Sequence, residues 1–374
     1  MKIGCPKEIK NNENRVGLTP NAVNAYILAG HEVFMEKGAG LGSAIEDREY
    51  VTAGARILPT GEEIWETADM IVKVKEPLGS ERALMRENQL VYAYFHFAAD
   101  RELLEACLER KIISLAYETV QEGQTLPLLK PMSEVAGRMS TLIGAFYCAK
   151  HLGGRGLLPM GVTGVGPAEV LVLGGGVVGS NAGRVASGLG CRVTILDTNL
   201  SRLEYLGEIM PANVTCVYSD PVSLEQYLRS ADIVIGAVLV PGGKTPWLVR
   251  RDQLKFMKPG AVLVDVAIDQ GGSFETSKPS THDEPTYVVD GIIHYCVGNM
   301  PGAYARTSTF ALNNATIGYG LQMAGKGLKR ACLENEALKL GLNTYKGIIT
   351  KKPVAEAFGL AHLYQAPEKV LEVS

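Results

Sequence analysis

Apolar residues fall along this chain in short runs, separated by longer stretches of helical period. In the first third, Met70–Val74, Leu90–Phe95 and Ile112–Leu115 read as strands, and Glu32–Glu36 as a further one. Between Phe95 and Ile112, the stretch Arg101 to Arg110 places Leu103, Leu104, Cys107 and Leu108 on one face, which predicts an amphipathic helix. Strands alternating with helices predict parallel sheets.

The middle third is more regular. Val170–Leu173 is a strand that runs straight into Gly174-Gly175-Gly176-Val177-Val178-Gly179, and a helix pattern follows to about Leu189. Cys191–Leu196 is the next strand and ends at Asp197. Ile233–Val238 and Ala261–Val266 are apolar enough to be covered on both faces, as strands of a parallel sheet are. After Pro301 the pattern becomes helical, over Thr309–Gly327 and Leu328–Leu340. Gly271–Pro285, rich in Gly, Ser, Thr, Pro and acids, reads as a loop.

Composition narrows the class. The 374 residues suit about two domains, and 42 glycines against 18 prolines fit many tight strand-to-helix turns. A net charge of -3 argues against nucleic acid or a polybasic membrane surface as partner. No apolar run reaches the ~18–20 residues of a membrane span, and the first residues lack a hydrophobic signal region, so the expected location is cytoplasmic. Seven scattered cysteines without CxxC spacing predict free thiols and neither a disulfide framework nor a metal site.

The glycine turn carries the first chemistry. G-x-G-x-x-G between a strand and a helix, with Asp197 eighteen positions after Gly179, is the pattern of a dinucleotide site. Gly174 permits the tight turn, Gly176 lets the backbone approach a pyrophosphate, and Gly179 lets helix and strand pack closely. The helix N-terminus offers N–H groups to phosphate. A carboxylate at Asp197 accepts hydrogen bonds from ribose hydroxyls and repels a 2′-phosphate, which favours NAD, with Arg202 near enough in sequence to screen it. The cofactor implies redox chemistry without naming the substrate.

Four polar residues stand where strands end. Arg15, in a polar turn, could grip a carboxylate through two parallel N–H···O bonds, or simply face solvent. Lys75 follows Met70–Val74, and Lys73 shares its parity. His96 ends Val91–Phe95, and histidine is the residue type best suited to acid/base work near neutral pH. Asp269 follows Ala261–Ile268 and could orient a histidine, bind a cationic nitrogen, or cap its loop.

Together these stretches resemble one family, the bacterial alanine dehydrogenases. The blocks are MKIGCPKEIKNNENRVGLTP at the N-terminus, VKVKEP around Lys75, YFHFAAD around His96, PMSEVAGRMS from Pro131, VLGGGVVG, DVAIDQGG around Asp269, and VGNMPGAYARTST from Val297. One departure is Thr163, where proline is expected. The resemblance implies two Rossmann-like, doubly wound parallel-sheet α/β domains with an interdomain cleft. One comprises residues 1–128 plus 305–374 and carries the substrate; residues 129–304 bind NAD. It implies reversible NAD-dependent oxidative deamination of L-alanine to pyruvate and ammonium, in a homohexamer. It assigns Arg15 and Lys75 to the substrate, Tyr94 and Met132 to its methyl group, and His96 and Asp269 to acid/base chemistry, leaving open which is the first base. It puts Ser133, Gly174, Gly176, Val178, Gly179, Asp197, Arg202, Ser219, Val238, Leu239, Ile268, Asn299 and Met300 on NAD. The alternatives are the NAD-binding component of a proton-pumping transhydrogenase, which shares the architecture, and a related amino-acid dehydrogenase.

Overall fold

Fifteen strands form two sheets in the computed structural model, which describes residues 1–238 and 245–373. In chain order the first six are β1 (Lys2–Cys5), β2 (Glu32–Glu36), β3 (Arg56–Leu58), β4 (Met70–Val72), β5 (Leu90–Ala93) and β6 (Ile113–Ala116). Then come β7 (Glu169–Leu173), β8 (Arg192–Asp197), β9 (Val214–Tyr218), β10 (Ile233–Gly236), β11 (Val262–Asp265), β12 (Thr286–Val289) and β13 (Ile292–Tyr295). The last two are β14 (Leu342–Tyr345) and β15 (Ile348–Ile349). The chain divides into two units: residues 1–132 with the chain from Gly302 onward, and Ser133–Pro301. The first crossing falls inside the helix Lys130–Tyr147.

The first unit holds the sheet β15-β14-β6-β5-β4-β1-β2-β3, parallel from β6 to β3. The second holds β12-β13-β11-β10-β7-β8-β9, parallel from β13 to β9. Each is doubly wound: the chain works outward from β1 or β7 in one direction, then returns to build the other side. That reversal lies between β1 and β4 in one sheet and β7 and β10 in the other. Strand C-termini beside such a switch point are where α/β sheets take ligands. Each sheet also has an antiparallel edge, β12 in one and β14–β15 in the other.

Burial follows the strand alternation. Val170 and Val172 of β7 face one buried cluster with Ile233, Ile235, Val262 and Val264; Leu171 and Leu173 face another with Val234 and Leu263. Both faces are covered, which is why these runs carry no polar alternation. In the first unit, Leu103, Leu104 and Cys107 of the helix Arg101–Glu109 bury against Val91 and Ala93. Asp100 caps that helix by accepting from the Leu103 N–H at 2.9 Å.

Three strands are shorter than their apolar pattern. Met70–Val74, Leu90–Phe95 and Ile233–Val238 each leave the sheet about two residues early. In the first unit, side chains replace strand partners at that point: Val74 N–H donates to Glu8 Oε1 at 2.7 Å, and the N–H of His96 to Glu118 Oε1 at 2.7 Å. Leu328–Leu340 also differs from expectation. Asn335 interrupts it with extended backbone and caps a second helix by accepting from Ala337 N–H at 3.0 Å. The seven cysteines are free, six of them buried.

Candidate active site

Each unit gathers its share of the sequence-marked residues at the C-terminal ends of its strands. In the first unit, Arg15 sits in the loop after β1, nearly fully buried. An arginine is tolerated there because Glu13 meets it twice, Nε to Oε1 at 2.7 Å and Nη2 to Oε2 at 2.6 Å. Burial works against the charge, but the Glu13 carboxylate holds the guanidinium above its ordinary range. Arg15 Nη1 lies 3.0 Å from Met132 Sδ, so two residues 117 positions apart share one spot.

Lys73 and Lys75 do not share a role. Lys73 is completely buried between Glu81 Oε1 at 2.5 Å and Glu8 Oε2 at 3.3 Å. Burial disfavours its charge, and the two carboxylates hold it cationic. Glu8 Oε1 also accepts from the backbone N–H of Val74 and Lys75, at 2.7 and 3.3 Å. Lys73 and Glu8 thus fix the strand end that carries Lys75, itself 9% exposed. Glu8, Glu13 and Glu81 balance Arg15, Lys73 and Lys75 in charge.

His96 is exposed and adopts φ 50°, ψ 40°, the left-handed region that non-glycine residues rarely enter. Its ring stacks on Tyr94, with centroids 5.8 Å apart, and Tyr94 is fixed by donating to the Leu128 carbonyl at 2.6 Å. The first unit therefore brings Arg15 to Met132 and Tyr94 to His96.

The second unit carries the glycine turn. Gly174 has φ +99°. A Cβ on Gly179 would lie 1.8 Å from the Gly174 carbonyl oxygen, so no other residue fits. Gly176 is different: a Cβ there would meet nothing within 4 Å. It stands at the N-terminus of the helix Val177–Gly188, leaving the space a phosphate group needs. Gly137 of the helix Lys130–Tyr147, one turn beyond Ser133, packs against that helix start; a Cβ there would lie 2.3 Å from the Val178 carbonyl.

Asp197 accepts from Gly175 N–H at 2.6 Å and Asn199 N–H at 2.8 Å. A carboxylate has about four acceptor positions, so capacity remains for ribose hydroxyls. Arg202 does not turn toward Asp197: its Nε donates to the Gly175 carbonyl at 2.5 Å. Ser219 N–H bonds the Asp197 carbonyl at 2.9 Å, and the Val238 side chain covers Gly174. Leu239 lies outside the described residues. This turn fits a dinucleotide.

Asp269 is exposed, and Asn299, with φ 57°, donates its N–H to Asp269 Oδ2 at 3.2 Å. Ile268 and Met300 are buried beside these two residues in the chain. Behind them, the buried Asp265 at the end of β11 accepts from Ala267 N–H at 3.0 Å, Ser273 N–H at 2.7 Å and the Ser277 hydroxyl. It ties down the loop that carries Asp269. Glu8, Glu13, Glu118 and Asp265 were not singled out in the sequence. Only their positions at the ends of β1, β6 and β11 could have marked them.

The two sheets, their switch points and the glycine turn define the class: a two-unit α/β protein of dinucleotide-binding architecture. Family models match nearly the whole chain, alanine dehydrogenase/PNT N-terminal domain over residues 4–136 and C-terminal domain over 140–352. The chain belongs to the alanine dehydrogenase/PNT family. It is 55% identical over 373 residues to an alanine dehydrogenase of Methanococcus maripaludis, covering 99% of this chain and 100% of that one. A solved L-alanine dehydrogenase matches with TM-score 0.93 and 47% identity, over 96% and 99% of the two chains. A transhydrogenase from Sinorhizobium meliloti matches with TM-score 0.81 and 26% identity, over 94% and 99%.

Proposed function

We propose that this protein is an NAD-dependent alanine dehydrogenase, converting L-alanine and water reversibly to pyruvate and ammonium. The observation that carries this reading is full-length identity of 55% to a protein of that name; Arg15, Lys75 and His96 in the first unit and Asp269 in the second support it. The likeness to a transhydrogenase is about half as close in identity, 26% against 47%.

NAD held at the glycine turn would supply the hydride acceptor that oxidation at the substrate Cα needs. The chain's own residues do the rest. Arg15 and Lys75 hold the carboxylate and carbonyl region, and Glu13 keeps the Arg15 fork in one orientation. Two buried cations at one carboxylate favour the anion over water. Tyr94 and Met132 limit the side chain to a methyl group. Water then adds to the imine, and His96 moves the protons. Asp269 stabilises the cationic nitrogen, held by Asn299 N–H. Ser133, Gly174, Gly176, Val178, Gly179, Asp197, Arg202, Ser219, Val238, Leu239, Ile268, Asn299 and Met300 form the NAD site. Substrate sits with residues 1–128 and 305–374, and NAD with 129–304.

No helix among the described residues is long and apolar enough to cross a membrane, and we place the enzyme in the cytoplasm. Exposed Leu142 and Phe146 on one helix face, with Leu158, Met160, Val162 and Val165, support self-association, which we propose is hexameric. The test is NADH formation from a panel of L-alanine, glycine, L-serine and L-lysine. Activity confined to L-alanine supports the reading; no activity with it, beside tight NAD binding, removes it.

A further inference from the structure

The geometry points to Glu118 as the positioning residue of His96, a role that rests on the proposed acid/base work of that histidine. β5 and β6 pair from Leu90 with Ile113 to Ala93 with Ala116. Beyond that register β6 turns away into the short helical turn Tyr117–Thr119 and offers no carbonyls. Two N–H groups of the β5 extension are left facing it. The Glu118 side chain takes both: Oε1 accepts from Phe95 N–H at 3.2 Å and His96 N–H at 2.7 Å, and Oε2 lies 3.3 Å from Phe95 N. One carboxylate thus continues the ladder after the strand has ended.

The contact falls on the residue whose backbone most needs holding. A non-glycine residue in the left-handed region is strained and persists only where its surroundings fix it. His96 bonds forward through its carbonyl to Ala99 N–H at 2.9 Å and backward through its N–H to Glu118. Glu118 is fixed in turn from the far end of the chain. Asn343 Nδ2 donates to the neighbouring Thr119 hydroxyl at 2.6 Å, and the half-buried Lys351 ammonium lies within electrostatic reach of the Glu118 carboxylate. Glu118 does not touch substrate. It sets where the imidazole points.

The test compares Glu118→Ala, Glu118→Gln and Glu118→Asp with His96→Ala and the double variant His96→Ala/Glu118→Ala. kcat and KM for L-alanine, NAD affinity by nucleotide fluorescence, and Tm are measured for each. A misplacement of about 1 Å costs up to ~100-fold in rate. Glu118→Ala is therefore expected to lower kcat about 10–100-fold with NAD affinity unchanged. Glu118→Gln keeps an oxygen for both N–H groups and stays within about threefold of the parent. Glu118→Asp keeps the charge but withdraws it, and falls below the glutamine variant. The double variant is no slower than His96→Ala, because both changes remove one function. Should Glu118→Ala fail to fold, the ranking of glutamine above aspartate decides; the reverse ranking overturns the role. A Glu118→Ala kcat within twofold of the parent, beside an impaired His96→Ala, overturns it while leaving the proposed function standing. Near-normal turnover in His96→Ala overturns the assignment of the histidine and this inference with it.

Discussion

At the scale of single residues, buried charge is the main theme, and partners decide what it costs. Arg15 and Lys73 are taken out of water, which is tolerable only because carboxylates meet them at hydrogen-bond distance. Removing one partner strands the other charge. Glu81→Leu is accordingly expected to destabilise the first unit by ~3–5 kcal/mol, read as a fall in the urea midpoint. Catalytic loss has a different origin. A positioned acid/base contributes about 10²–10⁴-fold, so His96→Ala should lose at least two decades of kcat while NAD affinity stays intact. His294 shows the opposite use of burial. It is wholly buried in β13, between β12 and β11, its Nδ1 3.0 Å from the Ile292 carbonyl and its Nε2 2.7 Å from the Thr276 hydroxyl. A carbonyl can only accept, so Nδ1 carries a proton, and the Thr276 hydroxyl can donate to Nε2 of the neutral ring. Burial depresses its proton affinity below the usual ~6.5, with the Ile292 carbonyl and Asp290 opposing. The unfolded chain then binds the proton first as pH falls. Stability is present above about pH 6.5 and lost on acidification below it. The drop in Tm between pH 7 and pH 5 should be smaller in His294→Gln than in the parent.

At the scale of elements, three glycines separate what the fold needs from what a ligand needs. Gly179→Ala drives a methyl group into the Gly174 carbonyl and should disturb the turn itself, lowering both Tm and NAD affinity. Gly176→Ala meets only open space, so Tm should stay within a degree or two while NAD affinity falls at least tenfold. Equal NAD affinity in that variant would place the pyrophosphate elsewhere. Gly207, within the helix Leu200–Ile209, also meets nothing. Gly207→Ala should add roughly 0.5–1 kcal/mol through helix propensity, measurable by chemical denaturation. The same contrast explains what the sequence made legible. β7, the glycine turn and Asp197 form one local unit, with spacing and chemistry within 29 residues of chain, and they read directly. β1, β3, β9 and the antiparallel edges were not foreseen, since three to five residues of mixed character carry little periodicity. The apolar pattern overruns the strand ends because it continues through Phe95, whose N–H meets the Glu118 side chain and no strand carbonyl. Glu8, Glu118 and Asp265 were invisible for a related reason. Each works by accepting backbone N–H groups, and a backbone partner leaves no mark in sequence spacing.

At the scale of the whole molecule, the first unit is built from both ends of the chain. β14 joins the sheet beside β6, with Ser114 and Thr344 hydroxyls 2.7 Å apart across that seam. Asn343, next along, braces the turn that holds Glu118. An edge strand deprived of its neighbour is a template for unwanted pairing. A ribosome making this protein releases β6 long before it makes β14. At roughly 5–20 residues per second, the interval from Ala116 to Leu342 is about 10–45 s. During that time the contiguous strands β7–β13 can close into their own sheet, while the amino-terminal strands, first to emerge, must wait with an open flank. Nascent chains stalled shortly after residue 330 should therefore resist protease across Ser133–Pro301 and be cut within the first 132 residues. The order of birth and the order of maturation are reversed in this protein, and whatever protects an unpaired β6 in the meantime acts on the half that carries His96.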